Sequence, residues 1–240
     1  MGGTLGLSCN LYRTGTNAIP GAPKRVNAMQ PLGHLIRQAV LLPSFRSSKS
    51  YWERRYRLGG TSGEGSSGQL AEFKAEVLNR FVRDHDIARV IEYGCGDGQQ
   101  LALADYPLYL GLDVSRTCIE HCQVSFKDDR SKSFLWYEPA TAVRLDNFIK
   151  GDLVLSLDVI YHLVEDAVYE RYLDDLFAAA GRFVIIYSSD KDEPQRLPHV
   201  RHRRFTHHVA QRFADFSLVD HIENRHQHKS PCSFFVFARA

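Results

Sequence analysis

Val90-Ile91-Glu92-Tyr93-Gly94-Cys95-Gly96-Asp97-Gly98 is the stretch on which the reading of this chain turns. An apolar strand runs straight into a glycine-rich turn of the form E-x-G-x-G-x-G. A second apolar segment, Leu108-Tyr109-Leu110-Gly111-Leu112, follows and ends in Asp113. Glycine removes side chains where backbone must approach a ligand. An acid at the tip of the second strand accepts hydrogen bonds from both hydroxyls of a ribose. Together they are the means by which a nucleotide-binding α/β domain holds an adenosine.

The glycine spacing separates two ligands. A dinucleotide turn, G-x-G-x-x-G, needs glycine at position 99, where this chain has Gln99. That residue, and the lack of a hydride-transfer constellation, argue against a dinucleotide oxidoreductase. A glycine-rich connector with no ligand would leave the preceding strand and Asp113 unexplained. The observed turn resembles motif I of the class I S-adenosylmethionine-dependent methyltransferases. That resemblance implies cofactor contacts from Glu92, Gly94, Cys95, Gly96 and Gly98, with Asp113 and Val114 at the nucleoside. The turn would pack on the methionine half of S-adenosylmethionine, and Glu92 would orient it.

Composition narrows the rest. With 240 residues, 44% of them hydrophobic, the chain can bury one core: a domain of about 190 residues plus an N-terminal extension. A formal charge of +2 is too small to argue for nucleic acid or an anionic membrane. The longest apolar window, Leu35 to Leu42, is broken by Arg37 and Gln38, and a bilayer span needs about 18 apolar residues. The start lacks the pattern of a secretory signal. Five scattered cysteines, Cys9, Cys95, Cys118, Cys122 and Cys232, read as reduced thiols of a cytoplasmic protein. Cys118 and Cys122 share a helix face, but no second pair completes a zinc site, so the reading is packing and no metal is expected.

Along the chain, residues 1–45 read as an extension, largely disordered, with Met29 an alternative start. Residues 46–68 join the aromatic Tyr51-Trp52-Glu53-Arg54-Arg55-Tyr56 to the glycine-serine run Gly59 to Gly68, and read as either a flexible linker or a lid. Residues 69–240 are the methyltransferase-like domain. A helix starts at Leu70, where Leu70, Phe73, Val77, Leu78 and Phe81 keep helical spacing, and ends near Asp86. Strands follow at 88–93, 109–113, 133–137, 152–157 and 183–187, with helices over 99–104, 115–126, 166–179 and 206–213 between them. Ser115 is placed to cap its helix. A final pair, 217–222 and 233–238, reads as a hairpin. The fold class expected is α/β, a Rossmann-like doubly wound sheet of about seven strands with one antiparallel strand near the C-terminus.

Ligands of open α/β sheets sit beyond the carboxyl ends of the strands, so the loop Asp158-Val159-Ile160-Tyr161-His162 faces the same crevice as the glycine turn. It resembles the family's motif IV, which implies that Asp158 lines the active centre near the transferred methyl. Tyr161 and His162 lie close by, and His162 is either a proton acceptor or a hydrogen-bonded core histidine. Glu138, after the third strand, falls where the family contacts adenine. His199 and His202, in Pro198-His199-Val200-Arg201-His202-Arg203-Arg204, are further catalytic candidates. That cluster is a cationic rim for an acidic acceptor or a solvated basic loop.

Y-W-E-x-R-Y, L-A-x-F-K and H-V-R-H-R-x-F further resemble bacterial methyltransferase-domain proteins associated with sugar or polysaccharide biosynthesis. The expected activity is therefore methyl transfer to a small molecule or glycan, at a hydroxyl oxygen. Two alternatives remain: a cofactor-binding module without catalysis, and a nucleic-acid methyltransferase. The latter lacks the N-P-P-Y loop that base flipping uses.

Overall fold

The computed structural model describes residues 45–139 and 149–240. The expectations for residues 1–44, including Met29, the apolar window at 35–42 and Cys9, lie outside the described residues, as does Ala140.

The elements in chain order are α1 (Ser48–Arg57), α2 (Gly68–Asp84), β1 (Arg89–Tyr93), β2 (Leu108–Asp113), α3 (Arg116–Ser125), β3 (Lys132–Trp136), β4 (Gly151–Leu157), α4 (Asp166–Ala179), β5 (Ala180–Ser188), α5 (Phe205–Arg212), β6 (Phe216–Ile222) and β7 (Ser233–Arg239). Seven strands form one sheet in the order β3-β2-β1-β4-β5-β7-β6. The first five are parallel, and β7 runs antiparallel to both β5 and β6. This is the expected doubly wound architecture with its antiparallel C-terminal strand.

β4 shows why the sheet is buried on both sides. Leu153, Leu155 and Leu157 point into one apolar cluster with Phe73, Val77 and Leu78 of α2 and Ile119 of α3. Val154 points the other way, into a second cluster with Leu173 and Leu176 of α4 and Phe205 and Val209 of α5. A strand covered on both faces needs a near-continuous apolar run, and Leu153-Val154-Leu155-Ser156-Leu157 of β4 supplies one. Cys118 and Cys122 are fully buried where α3 meets the sheet, as packing residues would be. The Ser115 hydroxyl caps α3 by accepting from the Cys118 amide at 3.2 Å.

One expected helix is absent. Residues 99–104 carry only a short 3-10 turn, Leu101–Leu103. Pro107 follows closely and bars the residue before it from helical geometry, so too few residues remain to repay helix nucleation. α2 ends two residues before the expected stop. No helix among the described residues is long and apolar enough to cross a membrane.

Strand order reverses between β2-β1 and β4-β5, so the loops after β1 and β4 diverge above the sheet and leave a crevice.

Candidate active site

The turn after β1 holds Gly94 at φ 82° and Gly96 at φ 57°. A Cβ at Gly94 would lie 2.4 Å from a Val159 methyl, and one at Gly96 would lie 2.3 Å from the Ser62 hydroxyl. Neither position admits an L side chain, and the backbone stays bare where the crevice begins. Asp113, at the end of β2, accepts the Gly96 amide at 3.0 Å on one oxygen and the Ser115 amide at 2.9 Å on the other. Burial pushes its carboxyl up, while those amides pull it down. The turn and the second acid therefore converge.

Glu92 lies buried under the turn and accepts the Tyr109 hydroxyl at 2.7 Å. Burial pushes its carboxyl up to about 7, against the opposing pull of that hydrogen bond and of the Lys74 ammonium. Cys95 is on the crevice wall, and Cys122 donates its thiol hydrogen to the Gly96 carbonyl at 3.2 Å.

Across the crevice, Asp158 adopts φ 60°, a strained conformation for a non-glycine residue. Its amide donates to the Tyr187 carbonyl at 3.0 Å. One carboxylate oxygen accepts the Tyr161 hydroxyl at 3.0 Å, and the other accepts the Lys74 ammonium at 2.7 Å. His162 is enclosed by rings, with Trp52 edge-on at 4.9 Å and Tyr161 at 4.4 Å. Its Nδ1 lies 2.9 Å from the His199 carbonyl. A carbonyl only accepts, so Nδ1 carries the hydrogen and Nε2 keeps its lone pair. Burial pushes His162 down to about 4.

The segment before α2 closes over these groups. Ser47 caps α1 and Ser48 donates its hydroxyl to Glu165 at 2.5 Å. Glu53 accepts the hydroxyls of Ser115 and Thr117, each at 2.7 Å. Beyond α1, Ser62 donates to Asp97 of the glycine turn at 2.8 Å. Gly65 then passes over Asp158 so closely that a Cβ would lie 2.8 Å from a carboxylate oxygen. The glycine-serine run is thus bonded to the domain.

The result is a cavity of about 290 Å³. Glu92, Gly94, Cys95, Gly96, Asp113, Val114, Glu138, Asp158 and His162 of the expected residues line it, and Trp52, Tyr56, Lys74, Gln100 and Tyr137 do so without having been expected. Glu138 is ion-paired with Lys49 of α1. Gly98 is not on the wall: a Cβ there would meet Phe126 at 2.8 Å, so it seats the turn on α3. Tyr161 stands one shell back, behind Asp158. His199 and His202 are also off the wall. His199 stacks on Tyr51 at 4.5 Å, and the Nδ1 of His202 is 2.6 Å from the Ser189 hydroxyl.

Lys74 was legible in principle. It falls on the helical face of Leu70 and Val77, where an apolar residue belongs. Gln100 carried no comparable signal, because it sits in the stretch read as a helix.

The three-dimensional arrangement can be matched to known structures. Magnesium protoporphyrin IX methyltransferase from Synechocystis PCC 6803, with bound S-adenosyl-L-homocysteine, superposes with a TM-score of 0.59, at 16% identity over 80% of this chain and 98% of that one. The N-methyltransferase NodS from Bradyrhizobium japonicum WM9, also with S-adenosyl-L-homocysteine, gives 0.61, at 15% identity over 80% and 98%. The fold is that of the class I methyltransferases. An amino pentose methyltransferase of calicheamicin biosynthesis from Micromonospora echinaspora gives 0.56, at 12% identity over 77% and 96%. No family model and no curated protein matches the chain. Within the methyltransferase fold, the glycine turn and Asp113 of this chain line the cavity together with Asp158 and His162 across from them.

Proposed function

We propose that this chain is an S-adenosylmethionine-dependent methyltransferase acting on a small molecule or glycan, at a hydroxyl oxygen. The observation that carries this reading is the cavity itself: bare glycine backbone and a buried acid on one side, and an unprotonated imidazole nitrogen with a fixed carboxylate on the other. The residues fit the cofactor. Asp113 suits the ribose, Tyr137 and Val114 give adenine an apolar slot, and Glu138 stands at its edge. Gly94, Cys95 and Gly96 leave room for the methionine half, with Glu92 below.

When bound, the cofactor supplies a methyl already activated on a sulfonium. The chain's part is to hold an acceptor oxygen in line with it and to exclude water. Asp158, held by Lys74 and Tyr161, orients the acceptor hydroxyl. His162 takes the proton at Nε2, the nitrogen its bond to His199 leaves free. His199 and His202 serve from behind, the first by fixing His162. Residues 46–68 act as a lid over both halves of the cavity, attached to the domain by Ser48, Glu53 and Ser62. Arg201 and Arg203 of the basic cluster are paired with Asp166 and do not line the cavity, so they give an acidic acceptor no support. A sugar acceptor finds support in the sequence motifs and in the amino pentose methyltransferase of like fold.

Calorimetry with S-adenosylmethionine tests the first half of this reading. Binding is expected in the wild type, and Asp113→Ala should weaken it by about 1–3 kcal/mol, the worth of a partly buried charged contact. No binding at millimolar cofactor would end the proposal.

A further inference from the structure

His162 follows β4, yet α1, which begins 114 residues earlier at Ser48, surrounds it. The Ser48 hydroxyl lies 2.7 Å from the His162 carbonyl. Trp52 stands edge-on to the imidazole, its plane at 79° to it. Tyr51 reaches the same ring through His199. The Tyr51 ring stacks on that of His199 at 4.5 Å and 11°, and His199 lies in turn parallel to His162 at 5.9 Å and 10°. Three rings thus form one stack, whose outer member belongs to α1. The His199 carbonyl, which accepts the Nδ1 hydrogen, sits in the loop between β5 and α5. A loop carbonyl lacks the repeating hydrogen bonds that fix a strand or helix, so the stacked ring beside it holds its direction. The charged and titratable groups facing His162 are Arg55 of α1, Asp158 and Tyr161 of its own loop, and His199. Burial is the largest cause of its low titration, and the Arg55 guanidinium adds to it against the pull of Asp158. Aliphatic side chains at 51 and 52 would cover the same surface, but only flat rings hold an imidazole at set angles.

We propose that Tyr51 and Trp52 are positioning residues for the proton-accepting histidine, Tyr51 fixing His162 through His199 and Trp52 fixing its ring plane. This rests on the methyltransferase reading above, and adds that the proton acceptor is complete only while α1 is seated. With α1 in place the hydrogen stays on Nδ1, and Nε2 keeps its lone pair on a ring that lines the cavity. With α1 displaced, water reaches the ring, the His199 carbonyl turns, and either nitrogen can carry the hydrogen. In the transfer step the acceptor oxygen gains the methyl carbon and loses its proton to Nε2, while the sulfur keeps the electron pair of the broken C–S bond. A histidine already protonated by water, or holding its hydrogen on Nε2, cannot serve. Tying the base to α1 thereby confines proton acceptance to the closed, dry cavity.

Nuclear magnetic resonance of the histidine ring nitrogens tests this on the full chain, with no acceptor needed. Proton–nitrogen correlation spectra are recorded across a pH series, and His162 is assigned by the signals lost in His162→Gln. Wild type is expected to show one neutral tautomer, with the hydrogen on Nδ1, and a midpoint of about 4. Tyr51→Leu and Trp52→Leu should each raise that midpoint by at least about one pH unit and populate the second tautomer. Tyr51→Phe keeps the ring and should match wild type. His85, just past α2 and stacked on Phe81 at 4.0 Å, is the internal control. Its unchanged ring signals show an intact fold, and where one leucine variant loses them the other decides. An unchanged tautomer and midpoint in a folded leucine variant would overturn the positioning role and leave the methyltransferase reading standing. So would a change in Tyr51→Phe as large as that in Tyr51→Leu. A wild-type His162 that is protonated at neutral pH, or carries its hydrogen on Nε2, would instead remove this histidine from the reaction and the role of α1 with it.

Discussion

At the scale of single residues, Glu92 shows how a site group can oppose the stability of its own fold. Its carboxyl is pushed from 4.5 to about 7 by burial. Between those values the folded chain holds a proton that the unfolded chain has lost, so this residue's contribution falls as pH rises and stays low above 7. Glu92→Gln removes the cost while keeping an acceptor for Tyr109. Urea unfolding at pH 8 is expected to show a gain of up to about 3 kcal/mol, and little gain at pH 4.5. Gly94 and Gly96 were readable from spacing, because they answer to a local rule about bare backbone, and Asp113 from its place at the tip of the second strand. His162 was readable as a candidate, but its tautomer was not: that is set by a carbonyl 37 residues away. The places of His199 and His202 were hidden for the same reason. Proximity in sequence to the crevice is not a place on its wall, and both rings turn to neighbours behind it.

At the scale of elements, the sheet was legible almost strand for strand, since near-continuous apolar runs such as 153–157 suit a strand covered on both faces. The helix after Gly98 was misread because local spacing does not register the stop imposed by Pro107. The segment over the cavity was open between two readings, as glycine and serine fix no structure by themselves. The contacts that bear on it are long-range: Glu53 meets Ser115 and Thr117, whose hydroxyls lie 62 and 64 residues on. Glu53→Ala deletes that clamp at the N-terminus of α3. The variant should keep its melting temperature within a few degrees but be cleaved several-fold faster by protease within residues 59–68, since a side-chain hydrogen bond to a charged group is worth about 1.5–3 kcal/mol. Equal cleavage rates would mean that α1 is held by its ring contacts alone.

At the scale of the whole molecule, His162 and Glu92 act against each other. His162 is pushed from 6.5 to about 4 by burial, so below pH 6.5 the unfolded chain binds a proton that the folded one refuses. Its contribution therefore rises with pH from about 4 to 6.5, while that of Glu92 falls from 4.5 to about 7. Each slope is about 1.4 kcal/mol per pH unit, with opposite sign. Their combined contribution is nearly level between pH 4.5 and 6.5. Glu92→Gln should expose the histidine slope, and unfolding free energies across that range should then climb by roughly 2–3 kcal/mol. An unchanged profile would show that His162 titrates normally. The attachments of residues 46–68 carry a different consequence, for the order in which a nascent chain comes together. Ser62 waits 35 residues for Asp97, and Ser48 waits 117 for Glu165. During synthesis the segment leaves the ribosome before the walls that secure it, and its tie to Glu165 forms only after β4 has emerged.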